Sequence, residues 1–289
     1  FCAFALGKEK NEELKLAFKD LRELKVDVAY PLLLELYSDY SSEFLTHSEF
    51  LCAVRIIESY VFKRAICEIP TNSMNKTFAR MGIGLKKDRC LESVKASFLL
   101  LPSYRRFPSD EEFHRKIQIK DIYNFRSKSY WLRRMENFGR KERILVDEFT
   151  IEHIMPQADN NAEKLPQVWR AELGDEWQRV WETYRHTLGN LTLTGYNSEY
   201  SNSAFIAKCE HEFGFKFSPL KMNEGIAAEI RWNEDAITKR ANKLADKAIK
   251  IWTSVALSKD IIDAYRTQND QSSEYSLTDH PHLVTGKMS

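Results

Sequence analysis

The sequence has few cysteines, few glycines and no long apolar run. Its five cysteines form no C-x-x-C pair, which argues against a zinc ribbon and against the disulfide framework of a secreted protein. Glycine occurs only ten times, and the G-x-x-x-x-G-K-[ST] loop that cradles nucleotide phosphates is missing. No stretch approaches the roughly 20 apolar residues that span a bilayer. We therefore expect a protein of a reducing, cytoplasmic setting that neither spans a membrane nor hydrolyses nucleotides.

A strong charge of one sign is also missing, because the net charge of the whole chain is +1. The distribution is uneven, however. Residues 101–143 contain twelve Lys or Arg against six Asp or Glu, with aromatic residues between them. Such a cluster can hold the phosphates of a nucleic acid, although a solvated helix face explains it equally well. The side chains that we expect to contact DNA phosphates are Arg126, Lys128, Arg133 and Arg134.

Hydrophobic spacing predicts helices through the first half of the chain. Residues 11–24 and 48–69 are the clearest cases, because their apolar side chains recur at the spacing of one buried helix face. We expect a helical domain over residues 1–143, a second domain over residues 144–258 and a partly disordered C-terminal tail over residues 259–289. The end of that tail is rich in Ser, Asp, Asn and Gln. The chain begins with Phe rather than Met, and we expect it to be a segment of a longer protein.

A carboxylate and a histidine lie side by side in the segment Thr150-Ile-Glu-His-Ile-Met-Pro-Gln157. The segment begins like a β-strand, and Pro156 suits the end of a strand because proline cannot donate to a ladder. Neighbouring strand residues point to opposite faces, so Glu152 and His153 can share a site only at a strand end or a bend. We expect that strand end here.

A second strand and a helix are predicted downstream. Residues 191–194 alternate and are rich in β-forming residues, and a glycine lies on either side of them. Asn197 and Ser198 then offer helix N-caps, and residues 198–212 have the pattern of a helix. The order is strand, long loop, strand, helix, which is a ββα unit.

These residue types suit the cleavage of a phosphodiester bond. The reaction needs an activated water and positive charge on the phosphate oxygens. A histidine that is neutral near pH 7 can accept the proton of the water. A hard cation such as Mg²⁺ prefers carboxylate and amide oxygens, which Glu152 and Asn197 could supply.

Three segments at the centre of this unit are Glu-His-Ile-Met-Pro-Gln157, Leu-Gly-Asn-Leu-Thr-Leu193 and Tyr-Asn-Ser-Glu-Tyr-Ser-Asn202. Together they resemble the HNH (His-Me finger) nuclease domain at the C-terminal end of GmrSD-type restriction proteins. The resemblance covers roughly residues 45–255. It implies a mainly α fold, in which a helical domain is followed by a ββα-metal nuclease module with flanking helices.

The resemblance also implies roles for individual residues. His153 corresponds to the general base, and Asn190 to the middle Asn of H-N-H, which braces the loop and orients the histidine. Asn197 corresponds to a metal ligand, although it could be only an N-cap. Glu152 stands where many relatives carry Asp, so it could bind the metal or support His153. Three further positions are secondary candidates: His186, which could be structural, Asn202, and Lys208, which could contact phosphate or be a solvated helix lysine.

The sequence therefore predicts a metal-dependent DNA endonuclease that nicks or cuts foreign or phage DNA with Mg²⁺ or Mn²⁺. The resemblance further implies a partner that this sequence does not show, an N-terminal nucleotide-hydrolysing domain that senses DNA modification. The alternative is a non-catalytic helical module that binds DNA or a partner chain and whose nuclease site is degenerate. Nicking of a plasmid with Mg²⁺, compared with EDTA, separates the two.

Overall fold

The first half of the chain is helical, as predicted. The structure, a computed structural model, describes residues 1–266 apart from the side chain of Ile83. The rest of the expected tail, with His280 and His282, lies outside the described residues. None of the described helices is both long enough and apolar enough to cross a membrane. Helices before the first strand are α1 Cys2–Ala5, α2 Glu12–Glu23, α3 Tyr30–Ser41, α4 His47–Ile66, α5 Met74–Ile83, α6 Cys90–Leu99, α7 Asp110–Ile119 and α8 Lys128–Asn137.

Side-chain caps determine where several of these helices begin. Thr46 and Glu49 form a reciprocal capping box at the start of α4, and Asn11 and Ser109 cap α2 and α7. Each cap satisfies backbone N–H groups that have no partner in the first helical turn. Most of α4 is buried, because α2, α3, α6 and α7 all pack against it. The helix predicted over residues 48–69 is thus confirmed as the centre of the helical half.

The second half of the chain contains the two predicted strands. β1 Thr150–His153 and β2 Leu191–Thr194 are antiparallel, with His153 opposite Leu191 and Glu152 opposite Thr192. The connection between them includes α9 Gln167–Leu173 and α10 Trp177–Tyr184. After β2 come α11 Asn197–Tyr200, α12 Phe205–Glu210 and the long α13 Glu234–Ile251. The described part of the chain is therefore mainly helical with a two-stranded sheet.

The single helix predicted over residues 198–212 is wrong. The chain forms two short helices, α11 and α12, and Ser201 in the turn between them has a φ of +42°. Asn197 is the first helical residue, and the N-cap position belongs to Tyr196. The run of small polar residues 201–203 favours a turn. Trp169 stabilises that turn, because its indole N–H donates to the carbonyl oxygen of Ser203 at 3.0 Å.

Two groups of buried apolar residues form the core. The larger group joins the N-terminal helices to β2 and to the end of α13, where Trp252 packs on Phe62 with ring centres 4.2 Å apart. The smaller group includes Trp169, Trp181 and Trp232 and surrounds the loop that follows β1. The division between residues 143 and 144 stays a prediction, and the larger group includes residues from both sides of it.

Gly189 lies where α13 approaches the chain just before β2. A Cβ atom added there would lie 2.3 Å from the carbonyl oxygen of Ile237. We expect Gly189→Ala to displace α13 and to lower the free energy of unfolding by about 1–3 kcal/mol, the range for overpacked interiors. Urea denaturation measures this, with Gly84→Ala as the control because a Cβ there meets nothing within 4 Å. Equal midpoints for the two variants would contradict the close approach.

Candidate active site

The end of β1 opens into a pocket of about 200 Å³. His153 is the last residue of β1, so regular strand pairing stops at this point. Glu152 and His153 both line the pocket, although neighbouring residues inside a strand point to opposite faces. Asn197 and Asn202 line the same pocket. Four of the residues singled out from the sequence therefore share one cavity.

His153 is buried between aromatic rings. Its Nε2 lies 3.1 Å from Nδ1 of His186, and its ring centre lies 4.5 Å from that of Tyr123. Burial lowers the pKa of His153 to about 3, and the charges of neighbouring basic groups, including His186 and Lys208, act in the same direction. The imidazole is therefore neutral near pH 7, which is the form that can accept a proton.

His186 connects His153 to the loop that follows β1. Its ring stacks on Tyr123 with centres 5.1 Å apart, and its Nε2 lies 3.2 Å from Oδ1 of Asn160. Its backbone carbonyl accepts hydrogen bonds from the N–H groups of Ile122 and Tyr123. The structure thus places His186 behind His153, where it holds the orientation of that ring.

Asn190 is a brace and not a reacting group. It is completely buried, and its amide uses its full hydrogen-bonding capacity. Oδ1 accepts from the N–H of Met155 at 2.7 Å and from the indole of Trp232 at 3.1 Å. Nδ2 donates to the carbonyl oxygens of Met155 and Arg185 at 2.9 and 3.0 Å. Asn190 therefore positions the chain that follows β1 and has no free group for the substrate.

Lys208 is buried against Glu152. Its Nζ donates to Oε1 of Glu152 at 2.5 Å and to the carbonyl oxygens of His153 and Ile154 at 3.0 and 3.1 Å. Burial raises the pKa of Glu152 to about 7 against the opposing effect of Lys208, and burial also lowers the pKa of Lys208. Lys208 is therefore neither a phosphate contact nor a solvated lysine. It is the counter-ion of a carboxylate in the pocket wall.

The pocket offers oxygen atoms to a cation. Lys208 occupies only Oε1 of Glu152, and no described residue forms a hydrogen bond with Oε2. The side chain of Asn197 is exposed and does not cap α11, so the N-cap interpretation is wrong. Its Nδ2 donates to the carbonyl of Ile151 at 3.4 Å, which leaves Oδ1 without a partner in the described chain. A carboxylate and an amide oxygen on one pocket fit a hard cation.

A metal cage built only from side chains is not found in the described part of the chain. No group of three or more His, Cys, Asp or Glu residues within residues 1–266 is placed to hold a metal ion.

Two of the arginines expected to contact DNA are internal counter-ions instead. The side chain of Arg133 is only 7% exposed, and it donates to Asp20 at 2.7 Å and to Glu23 at 2.8 Å. Arg134 lies 2.8 Å from a carboxylate oxygen of Glu58, which is itself buried. The expectation of phosphate contacts is therefore corrected for Arg133 and Arg134. Their partners lie on α2 and α4, far away in sequence, so a local count of charges could not reveal the pairing.

The other two basic candidates are exposed. Arg126 donates to the carbonyl of Leu24 at 3.2 Å. The Nζ of Lys128 lies 4.5 Å from the ring centre of Tyr123. Lys128 and Tyr123 line a cavity of about 510 Å³ that shares Asn197 with the pocket of His153. Lys128 therefore stands beside the pocket and remains a candidate phosphate contact.

Two further site residues were missed from the sequence. Tyr123 contacts both histidine rings and Lys128. In the sequence it is one of the aromatic residues of the basic cluster, and residues 121–123 resemble the helical lead-in of the GmrSD nuclease domain, but neither signal gave it a role in the site. Trp232 donates to Asn190 from the segment before α13. In the sequence, residues 232–237 resemble the closing helix of the GmrSD nuclease domain, but that resemblance gave Trp232 no role in the site. Both contacts join segments that are distant in sequence.

Comparison with known proteins finds one family over the part of the chain that contains the pocket. The family model for the C-terminal domain of GmrSD restriction endonucleases matches residues 107–247. No curated protein and no solved structure matches the chain. The matched region includes both strands, the pocket and every site residue predicted from the sequence. The match over residues 107–247 thus supports a GmrSD-type C-terminal nuclease domain in this part of the chain.

Proposed function

We propose that this chain is a metal-dependent DNA endonuclease of the HNH type, which nicks or cuts foreign or phage DNA with His153 as the general base. The family assignment supports a restriction endonuclease. The observation that carries the finer proposal is the shared pocket. A neutral imidazole faces the same cavity as an amide oxygen and a carboxylate oxygen that have no partner in the described chain.

Each residue of the pocket has a separate task in this mechanism. His153 accepts the proton of the attacking water, and His186 holds its ring from behind. Asn190 holds the backbone that leaves β1, so that Glu152 and His153 keep their places at the strand end. Glu152 and Asn197 would hold a Mg²⁺ or Mn²⁺ ion, which when bound supplies positive charge next to the phosphate oxygens. Lys208 keeps the carboxylate of Glu152 in the pocket wall.

The resemblance supports one further proposal about the whole protein. We expect the nuclease to act together with a nucleotide-hydrolysing domain that senses DNA modification. The sequence contains no phosphate-binding loop of its own.

Plasmid nicking tests the proposed function. Supercoiled DNA is incubated with the chain in Mg²⁺, in Mn²⁺ and in EDTA, and nicked circles are quantified over time. We expect nicking with either metal and none in EDTA. Absence of nicking with both metals, while the chain still binds duplex DNA, would favour the non-catalytic binding module instead.

Asn197→Ala separates a metal ligand from a structural residue. We expect the Mg²⁺ concentration for half-maximal nicking to rise by at least about tenfold, since even groups that only support metal ligands contribute 10–100-fold to affinity. The melting temperature should change little, because Asn197 is exposed and makes one long hydrogen bond. Asn75→Ala, at an exposed position outside the matched region, is the control. An unchanged Mg²⁺ requirement in Asn197→Ala would refute its role as a ligand.

A further inference from the structure

A second groove lies along α13, on residues that the proposed chemistry does not use. Its volume is about 520 Å³, and its walls come from residues 138–139, residues 221–224 and α13. Four lysines line it: Lys221, Lys243, Lys247 and Lys250. Two carboxylates, Glu224 and Asp246, also line it, so lysine charges outnumber acidic ones two to one.

None of these four lysines has an ion-pair partner in the described chain. Among residues 1–266, no Asp or Glu lies within salt-bridge distance of Lys221, Lys243, Lys247 or Lys250. Oδ1 of Asp246 lies 2.9 Å from Nε2 of His114, which is not among the residues that line the groove. Lys247 is half-buried, and burial lowers its pKa against the opposing effect of the carboxylates of Glu136 and Glu224. A groove in which lysine charges outnumber the acidic ones favours an anionic occupant.

The geometry of the lysines fits a chain of phosphates better than a single small anion. Lys243, Lys247 and Lys250 follow one another along α13 at intervals of four and three residues, which places them on one helix face. At 1.5 Å per residue they extend over about 10 Å. Four successive phosphates of one DNA strand extend a similar distance, because each of the three intervals between them has an axial rise of about 3.4 Å.

The groove is joined to the candidate active site through Arg240. This arginine lines the groove, and its guanidinium donates to the carbonyl oxygens of Leu188, Gly189 and Leu191 at 3.1, 2.8 and 3.0 Å. These residues flank Asn190, the brace of the pocket. A polyanion in the groove would therefore bind next to the segment that contains Asn190.

We propose that the groove formed by Lys221, Lys243, Lys247 and Lys250 holds backbone phosphates of duplex DNA away from the cleaved bond. This inference rests on the proposed nuclease function for the choice of DNA. Lysine ammonium groups are point charges without a fixed hydrogen-bonding fork, so the groove contributes affinity without reading base sequence.

Salt titration of DNA binding tests the groove. Binding of two unrelated fluorescent duplexes to the full 289-residue chain is measured by anisotropy in EDTA, over a range of salt concentrations. In Lys243→Gln/Lys247→Gln/Lys250→Gln we expect weaker binding of both duplexes. The slope of log K against log salt should become shallower by about 2–3, since each phosphate contact contributes about 0.9. The double variant Lys243→Gln/Lys250→Gln changes exposed positions only and is used if the triple variant is unstable. Its slope should be shallower than that of the wild type by about 1.8.

A matched variant controls for net charge. Lys10→Gln/Lys25→Gln/Lys76→Gln removes the same charge from exposed lysines outside the groove and should leave the slope unchanged. An unaltered slope in the groove variants, or an equal change in the control, overturns the proposal. A third outcome also overturns it: the wild-type chain binds inorganic phosphate, the groove variants do not, and yet their slope for DNA stays the same. The groove would then be a small-anion site. EDTA prevents metal-dependent cleavage, so these outcomes are independent of whether the chain nicks DNA.

Discussion

His153→Ala is expected to slow DNA nicking by about 10²–10⁴-fold, the usual contribution of a general base. The neutral imidazole in the pocket wall is the group proposed to take the proton of the attacking water, and alanine offers no acceptor in its place. Rates are compared at saturating Mg²⁺ on supercoiled plasmid, so that a change in metal affinity does not contribute.

The same experiment needs a variant that keeps the packing around His153. The side chain is buried against Tyr123 and His186, so alanine also leaves a cavity. His153→Asn retains a polar group but cannot act as a base near pH 7, and it should be as inactive as alanine. His47→Ala, on the helical half of the protein, is the control. A folded His153→Ala protein that nicks at the wild-type rate would rule out the assignment of the base.

Lys208→Met is expected to lower the free energy of unfolding by about 3–5 kcal/mol, the usual effect of removing one partner from a buried ion pair. The substitution leaves Glu152 without its counter-ion, and the carbonyls of His153 and Ile154 lose a donor. Urea denaturation measures the change. Lys216→Met is the control, because this nearby lysine is exposed and should change stability by no more than about 0.5 kcal/mol.

A double-mutant cycle shows whether the cost comes from the pair. Lys208→Met/Glu152→Gln removes both charges, so it should be more stable than Lys208→Met alone, although the two carbonyls stay without their donor. If the effects of the two substitutions simply add, then Lys208 and Glu152 do not interact, and the structural role of Lys208 would have to come from its backbone contacts.

Sequence reasoning located the candidate site but not its internal contacts. Glu152, His153 and Asn197 were selected by residue type and by their positions at a strand end and a helix start, and they do line one pocket. Lys208 was selected without a firm role. Its pairing with Glu152, across 56 positions of sequence, follows no local pattern. The single helix expected over residues 198–212 was wrong, because residues 201–203 form a turn, which Trp169 stabilises from a distant segment.

The sequence alone determined the elements of this protein: the helices of the first half, both strands and the polar residues at the end of β1. Hydrophobic period, caps and turn residues act over a few positions, so they can be recognised in a linear chain. Only the tertiary structure shows which charged side chains are buried in ion pairs and which stay exposed. Arg133 became the buried partner of Asp20, 113 positions away, while Lys128 stayed beside the pocket. Whether a charged side chain meets a carboxylate, a carbonyl or solvent depends on burial and on segments brought together only by folding.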